Sequence, residues 1–227
     1  MGEFTKLSIK AEMTKVQEID QKGIRLRLTT LFFDMGNVLL EFNPRNIVSH
    51  FTQDAKTINY ITPMIFGHQE WLSLDLGTIT DDEAILSICA RVDSTFHPLV
   101  TQIVKEWPVT NYYYESMIPL VNTLKNRGMK LYLLSNASIK FHTYKKDIRA
   151  LDVFDGIVIS ADIHKAKPDP AFYETVLTQL KLDRSECFMI DDMKANIEGA
   201  AQCGIKGTIY TGDIKALEQT LTEKGIL

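Results

Sequence analysis

The sequence is poor in cysteine, with Cys89, Cys187 and Cys203 the only three in 227 residues. Their number is odd, they are far apart and no C-x-x-C occurs, which argues against a disulfide framework and a structural zinc site. Small buried hydrophobes are the expected role. No apolar run reaches the roughly 18 residues that a membrane span needs. The opening residues lack the apolar core of a signal peptide, so a cytoplasmic protein is expected. No strong charge excess exists: 25 Lys and Arg face 29 Asp and Glu, for a formal net charge of −4 and a pI of about 5.8. That excludes the basic footprint of a nucleic-acid or anionic-membrane binder, and any anionic partner must be held by local charges. His50, His68, His97, His142 and His164 show no ligand spacing, and no repeat or low-complexity stretch appears. The remaining composition, 45% hydrophobic and 24% charged, is that of an ordinary globular chain. Its length suits one domain, or one domain carrying an insertion, and a monomer or weak dimer is expected.

Short apolar runs punctuate the chain, and each ends in a small or polar residue. Leu28 to Phe33 leads into Asp34-Met35-Gly36-Asn37. Lys130 to Leu134 ends at Ser135-Asn136, Gly156 to Ile159 at Ser160, Cys187 to Ile190 at Asp191-Asp192, and Gly207 to Tyr210 at Thr211-Gly212. Helical periodicity fills the gaps at 117–127, with Gly128 as a C-cap, and at 169–180 and 194–203. Alternation of this kind predicts an α/β fold: a doubly wound, Rossmann-like parallel sheet with helices on both faces and ligand sites at the carboxyl ends of the strands. Residues 44–115 interrupt the alternation and read as helical, with candidate helices at 46–53, 55–66, 81–91 and 97–106 and a capping box from Thr80 to Glu83. The expected organisation is an N-terminal extension over 1–27, an α/β core over 28–43 and 116–227, and an inserted all-helical cap over 44–115.

Four pieces converge on the strand ends: Asp34, Ser135-Asn136, Lys167 in K-A-K-P-D-P, and Asp191-Asp192. These types belong together in phosphoryl transfer. A carboxylate can attack phosphorus and form an aspartyl-phosphate. Two anions repel, so the attack needs a cation, and Mg2+ takes oxygen ligands such as Asp34, the Gly36 carbonyl and Asp192. A lysine neutralises the rest of the charge, while a serine hydroxyl and a turn amide bind the remaining phosphoryl oxygens. Each residue also has an ordinary reading: turn residues at Asp34 and Ser135-Asn136, a loop lysine at Lys167, a helix N-cap at Asp191-Asp192.

The order F-F-D-M-G-N-V-L, L-L-S-N, K-A-K-P and I-D-D-M-K-A-N, with Gly199-Ala200 following, resembles the haloacid dehalogenase superfamily from about residue 28 to the end. Within it the chain is similar to members with a small helical cap, such as bacterial α-D-glucose-1-phosphate phosphatases and the N-terminal phosphatase domain of soluble epoxide hydrolases. The resemblance implies a Mg2+-dependent phosphatase acting on a small phosphate ester, a sugar 1-phosphate among the candidates. It assigns Asp34 as nucleophile, Ser135 and Lys167 to phosphate, Asp34, Gly36 and Asp192 to metal, and Asp191 and Asn196 to the outer metal shell. Most phosphatases of the superfamily have an acid–base aspartate two residues after the nucleophile, where this chain has Gly36. Loss of such a group costs on the order of 10²–10⁴ in rate. A catalytically impaired binding protein, or an enzyme confined to good leaving groups (sugar 1-phosphates, acyl and aryl phosphates), would explain the glycine. A 2-haloacid dehalogenase, which needs no metal, is a further alternative that Asp191-Asp192 disfavours. In the cap, Trp71 to Thr80 is expected to be a loop between helices, with Trp71, Asp75 or the Gly77 backbone facing substrate. Packing of Trp71 in the cap core is the competing reading. Trp107 and Tyr112-Tyr113-Tyr114 are expected to pack near the return hinge.

Overall fold

The computed structural model describes residues 28–227, so the expected N-terminal extension lies outside the described residues. Five short strands form one sheet: β1 (Thr30–Phe33), β2 (Lys130–Ser135), β3 (Gly156–Ile159), β4 (Cys187–Asp191) and β5 (Lys206–Ile209). Their order is β3-β2-β1-β4-β5, and every neighbouring pair is parallel. The central strand explains itself from its side chains. All four residues of Thr-Leu-Phe-Phe are buried, as a strand covered on both faces requires. The edge strand β5 reads Lys-Gly-Thr-Ile and keeps no fully buried residue.

Six α-helices lie between β1 and β2, and the first five are α1 (Pro44–Phe51), α2 (Ala55–Phe66), α3 (Gln69–Asp75), α4 (Asp81–Cys89) and α5 (His97–Glu106). Helix α6 (Ile118–Asn126) then leads into β2, and the short α7 (Phe141–Tyr144) and α8 (Ser160–Ile163) bracket β3. The chain continues through α9 (Pro170–Leu180), α10 (Lys194–Gln202) and α11 (Ile214–Glu223). Alternate residues of β1 serve two cores. Leu31 and Phe33 pack on one face with Leu120, Val121 and Leu124 of α6 and Leu217 and Leu221 of α11. Phe32 packs on the other with Phe172, Tyr173 and Val176 of α9 and Ala200 of α10. The doubly wound α/β fold read from the sequence is present.

Local chemistry sets the helix ends. Asn43 caps α1 by accepting from the amides of Arg45 and Asn46, with Pro44 as first helical residue. Asp169 followed by Pro170 starts α9 the same way, and the Thr80–Glu83 capping box starts α4. One segment differs from its sequence reading. Trp71 to Asp75 is helical, in α3, and only the residues after it form the connection to α4. Seven residues span about two turns, too few for periodicity to declare itself.

The chain enters and leaves the helical segment as paired extended backbone. Glu41 N–H donates to the Tyr112 carbonyl (2.8 Å), Tyr114 N–H donates to the Leu39 carbonyl (2.8 Å), and Leu40 bridges Tyr113 antiparallel. Trp107 is buried, as expected, but Tyr112 is 65% exposed and touches only the Tyr114 ring among the aromatics, so it does not pack as the sequence suggested.

One contact ties helix packing to the loop before α9. A Cβ built on Gly199 of α10 would lie 2.2 Å from the Pro168 carbonyl oxygen, a backbone atom that cannot simply swing away. Gly199→Ala is therefore expected to destabilise the fold by about 1–3 kcal/mol, the cost of overpacking, and to displace Lys167 beside Pro168. Urea unfolding would measure the first effect, and the second would appear as a fall in activity at temperatures where the variant is still folded.

Candidate functional site

The site grows from the carboxyl ends of β1, β2 and β4. Asp34 follows β1 directly, and its amide donates to the Ile190 carbonyl at 2.9 Å, continuing the ladder to β4. The register Phe33–Ile190 sets Asp34 level with Asp191, and Phe33–Leu133 sets Ser135 one residue beyond that level. Asp34, Ser135, Lys167, Asp191 and Asn196 are all buried polar residues.

Lys167 is the centre of the arrangement. Its Nζ donates to Asp34 Oδ1 and to Asp191 Oδ2, each at 2.7 Å. Its backbone is gripped by one side chain: Lys167 N–H donates to Asn136 Oδ1 (2.8 Å), and Asn136 Nδ2 donates to the Lys167 carbonyl (2.7 Å). The Asn136 side chain is thus occupied in holding the lysine loop, and only its backbone is left to meet a ligand. Asp191 is also fully engaged. Asn196 Nδ2 donates to both its oxygens (2.9 and 3.0 Å) and the Met193 amide to Oδ1 (2.8 Å). Tyr173, whose hydroxyl donates to the Asn196 carbonyl at 2.6 Å, supports this network from α9.

Asp192 is different. Half-buried, it accepts from Asn37 Nδ2 at 3.0 Å. Asn37 adopts a left-handed φ of 54°, which asparagine tolerates, and its Oδ1 accepts from the Phe42 amide at 3.0 Å. Asn37 therefore couples Asp192 to the turn after β1. Neither Asn37 nor Phe42 was singled out by sequence reasoning. The asparagine lay within the D-M-G-N turn, whose residues are common turn formers, and Phe42 had no motif at all.

Burial raises the Asp34 carboxyl above the usual carboxylate range and Asp191 adds to the rise, while Lys167 opposes it. Burial works against the Lys167 ammonium, but Asp34 and Asp191 outweigh it and hold its pKa up. Burial raises Asp192 as well. Oxygens of Asp34, Asp191 and Asp192 lie within 4.8 Å of one another. Three carboxylates against one ammonium is a surplus of negative charge in a poorly solvated place, and all the donors are hard oxygens. That set suits a divalent cation of the magnesium type.

Residues 28–204 match the model of haloacid dehalogenase-like hydrolases. The chain belongs to that family. It is 26% identical over 190 residues to a sesquiterpene phosphatase of Aspergillus oryzae, covering 80% of this chain and 89% of that one. A flavin mononucleotide hydrolase of Arabidopsis thaliana is 24% identical over 210 residues, covering 91% and 82%. A haloacid dehalogenase family enzyme of Bacteroides thetaiotaomicron, solved with magnesium and inorganic phosphate, superposes with a TM-score of 0.68 at 22% identity, covering 84% of this chain and 98% of that one. The last match shows the shared fold.

In this hydrolase the helical segment sits on the carboxyl end of the sheet. Ser160 Oγ donates to the Asp75 carbonyl, and His164 Nδ1 donates to the Leu76 carbonyl at 2.8 Å. Gly77, at φ +64°, lies so close to Ala161 that a Cβ would come within 2.7 Å of its carbonyl oxygen. Lys140 pairs with Asp81 of α4. Trp71 joins a ring cluster with Phe42, Phe66 and Trp107. The Asp75 carboxyl lies beside the Ser138 amide at this seam, and burial pushes its pKa up to about 8 from an ordinary 3.8. None of the five histidines belongs to the carboxylate group.

Asp75 has a consequence for stability. The native chain keeps a proton on this carboxyl that the unfolded chain releases near pH 4, so its contribution erodes as pH rises from about 4 to about 8 and is level above that. Asp75→Asn keeps a polar side chain of nearly the same shape and removes the titration. The variant should gain Tm relative to the parent as pH increases across that window, by a few degrees at pH 8, roughly what 1–2 kcal/mol produces in a chain of this size. A pH series of thermal melts would show it, and parallel pH profiles for the two proteins would refute it.

Proposed function

We propose that this hydrolase is a magnesium-dependent phosphatase that removes phosphate from a small metabolite through an aspartyl-phosphate on Asp34. One observation carries the reading: a buried carboxylate held 2.7 Å from a buried ammonium, beside two further carboxylates able to share a cation. Relatives named as a sesquiterpene phosphatase and a flavin mononucleotide hydrolase support the same class of substrate bond.

In this reading an Asp34 oxygen forms a bond to phosphorus as the bond from phosphorus to the leaving oxygen breaks. The leaving oxygen keeps the electron pair and acquires a proton. Water then adds to phosphorus, the bond to Asp34 breaks, and inorganic phosphate leaves. Lys167 neutralises a non-bridging oxygen, and Ser135 with the backbone amides after β2 binds the others. Asp191, oriented by Asn196 and Met193, fixes the lysine rather than meeting the substrate. Mg2+ bound by Asp34, the Gly36 carbonyl and Asp192 would supply the positive charge that lets one anion approach another. The helical segment is the cap that excludes water and bulk, which suits a small soluble ester rather than a phosphoprotein.

Gly36 limits the leaving group. No carboxylic acid stands there, so esters whose leaving oxygen needs little protonation are favoured: sugar 1-phosphates, acyl phosphates and aryl phosphates. The glycine is not forced by space, because a Cβ at residue 36 would meet Phe42 Cβ at 3.5 Å and Asp34 Oδ2 at 3.9 Å, both ordinary contacts.

A panel of phosphate esters assayed with and without magnesium tests the mechanism. Asp34→Asn should lower kcat by on the order of 10⁴, chelation should abolish turnover, and magnesium should raise the Tm of the wild-type protein. Activity that survives either Asp34→Asn or chelation would sink the reading. Gly36→Asp should speed alkyl phosphates by on the order of 10² while changing aryl phosphates little. Equal gains on both classes would show that acid assistance is not what the glycine withholds.

A further inference from the structure

On the phosphatase reading the leaving group extends from Asp34 toward the helical segment, where a group of aromatic rings stands beside the polar seam. Phe42 is the nearest. Its Cβ bounds the space beside Gly36 at 3.5 Å, and that same space lies 3.9 Å from Asp34 Oδ2. Its backbone amide is tied to the carboxylate group through Asn37 and Asp192. Around it stand the Phe66 ring (centroids 6.2 Å apart), Trp71 (6.1 Å) and Trp107 (6.1 Å). Trp71 lies 4.3 Å from Phe66 and 5.8 Å from Trp107. The cluster has a front and a back. Trp107 and Tyr144, 5.7 Å apart, are buried, whereas Phe42, Phe66 and Trp71 keep part of their surface open.

Of these three rings Phe42 bounds the space beside Gly36, and Phe66 and Trp71 stand against it. A polyhydroxylated leaving group placed there would lose water without gaining partners, because Phe42 and Phe66 have no polar atom and Trp71 has one donor. A flat apolar group would instead stack on the rings and remove apolar surface from water.

We propose that Phe42, Phe66 and Trp71 form a leaving-group subsite for a flat, apolar moiety, so that the substrate is the phosphate monoester of an aromatic or comparably planar alcohol rather than of a sugar. This rests on the phosphatase reading and narrows it: of the leaving groups that tolerate Gly36, the aryl class fits the wall. Trp71 is here a specificity-determining residue.

Binding to the Asp34→Asn protein in the presence of magnesium separates recognition from chemistry. Benzyl phosphate and glycerol phosphate carry the same phosphate on a primary alcohol and differ in the flat ring. Calorimetry should give a Kd for benzyl phosphate at least about tenfold below that for glycerol phosphate, the scale expected for burying one ring. The chain has only two tryptophans, Trp71 and Trp107, and both stand in the cluster, so benzyl phosphate should also change the intrinsic fluorescence, and glycerol phosphate should not. Adding Trp71→Leu should raise the benzyl phosphate Kd several-fold and leave that for glycerol phosphate unchanged. Trp71→Phe should restore the preference, which guards against a folding defect in the leucine variant. Equal affinity for the two esters, or an equal loss for both in Trp71→Leu, would overturn the subsite while leaving the phosphatase reading intact. Inorganic phosphate failing to bind at all would remove the phosphate site, and both readings with it.

Discussion

The buried ammonium of Lys167 is the constraint around which the site is organised. A charge taken out of water is costly unless it is paired and hydrogen-bonded, and here it is paired twice, with Asp34 and Asp191. Much of the surrounding structure follows from keeping that geometry. Asn136 grips the lysine backbone at both its N–H and its carbonyl. Asn196 and the Met193 amide saturate Asp191 so that it points one way. Gly199 lets α10 lie against the adjacent Pro168. Removing the lysine would leave two carboxylates facing each other where water cannot screen them, so its partners are as necessary to it as it is to them.

The second organising feature is the coupling of the carboxylate group to the helical segment. The link is short: Asp192 to Asn37, Asn37 to the Phe42 backbone, and the Phe42 ring to Trp71 and Trp107. The metal-suited end and the aromatic cluster are thereby joined through one side chain. The seam itself is made from carbonyls of Asp75 and Leu76 accepting from Ser160 and His164, with Gly77 pressed on Ala161. These are close, directional contacts, so the helical segment and the sheet's carboxyl end meet at a defined seam.

The sequence disclosed the sheet because its strands are short apolar runs with polar ends, and Thr30–Phe33 buries every residue. It disclosed Asp34, Lys167 and Asp191-Asp192 because a motif places rare combinations of charge at those ends. It did not disclose α3, since two turns of helix carry little periodicity. The Ser135-Asn136 turn points to phosphate binding, and the structure shows the Asn136 side chain occupied by Lys167 instead, a pairing across 31 residues that no local pattern encodes. Phe42 was invisible for a related reason. A lone aromatic after a turn is ordinary, and its importance comes only from the fold bringing Phe66, Trp71 and Trp107 around it.

Gly36 brings these threads together. Space does not demand a glycine there, so its effect is chemical: it leaves the region next to Asp34 Oδ2 without a proton donor. What bounds that region instead is Phe42, a ring that can neither donate nor accept. On the proposed mechanism the two facts act in the same direction. Without an acid at residue 36, turnover depends on the stability of the departing oxygen, and phenols depart as comparatively stable anions. The ring beside the gap favours the same alcohols by contact. A site that omitted the acid and lined the gap with polar groups would instead select esters it could bind and could not readily cleave. Binding preference and leaving-group chemistry here favour one class of substrate.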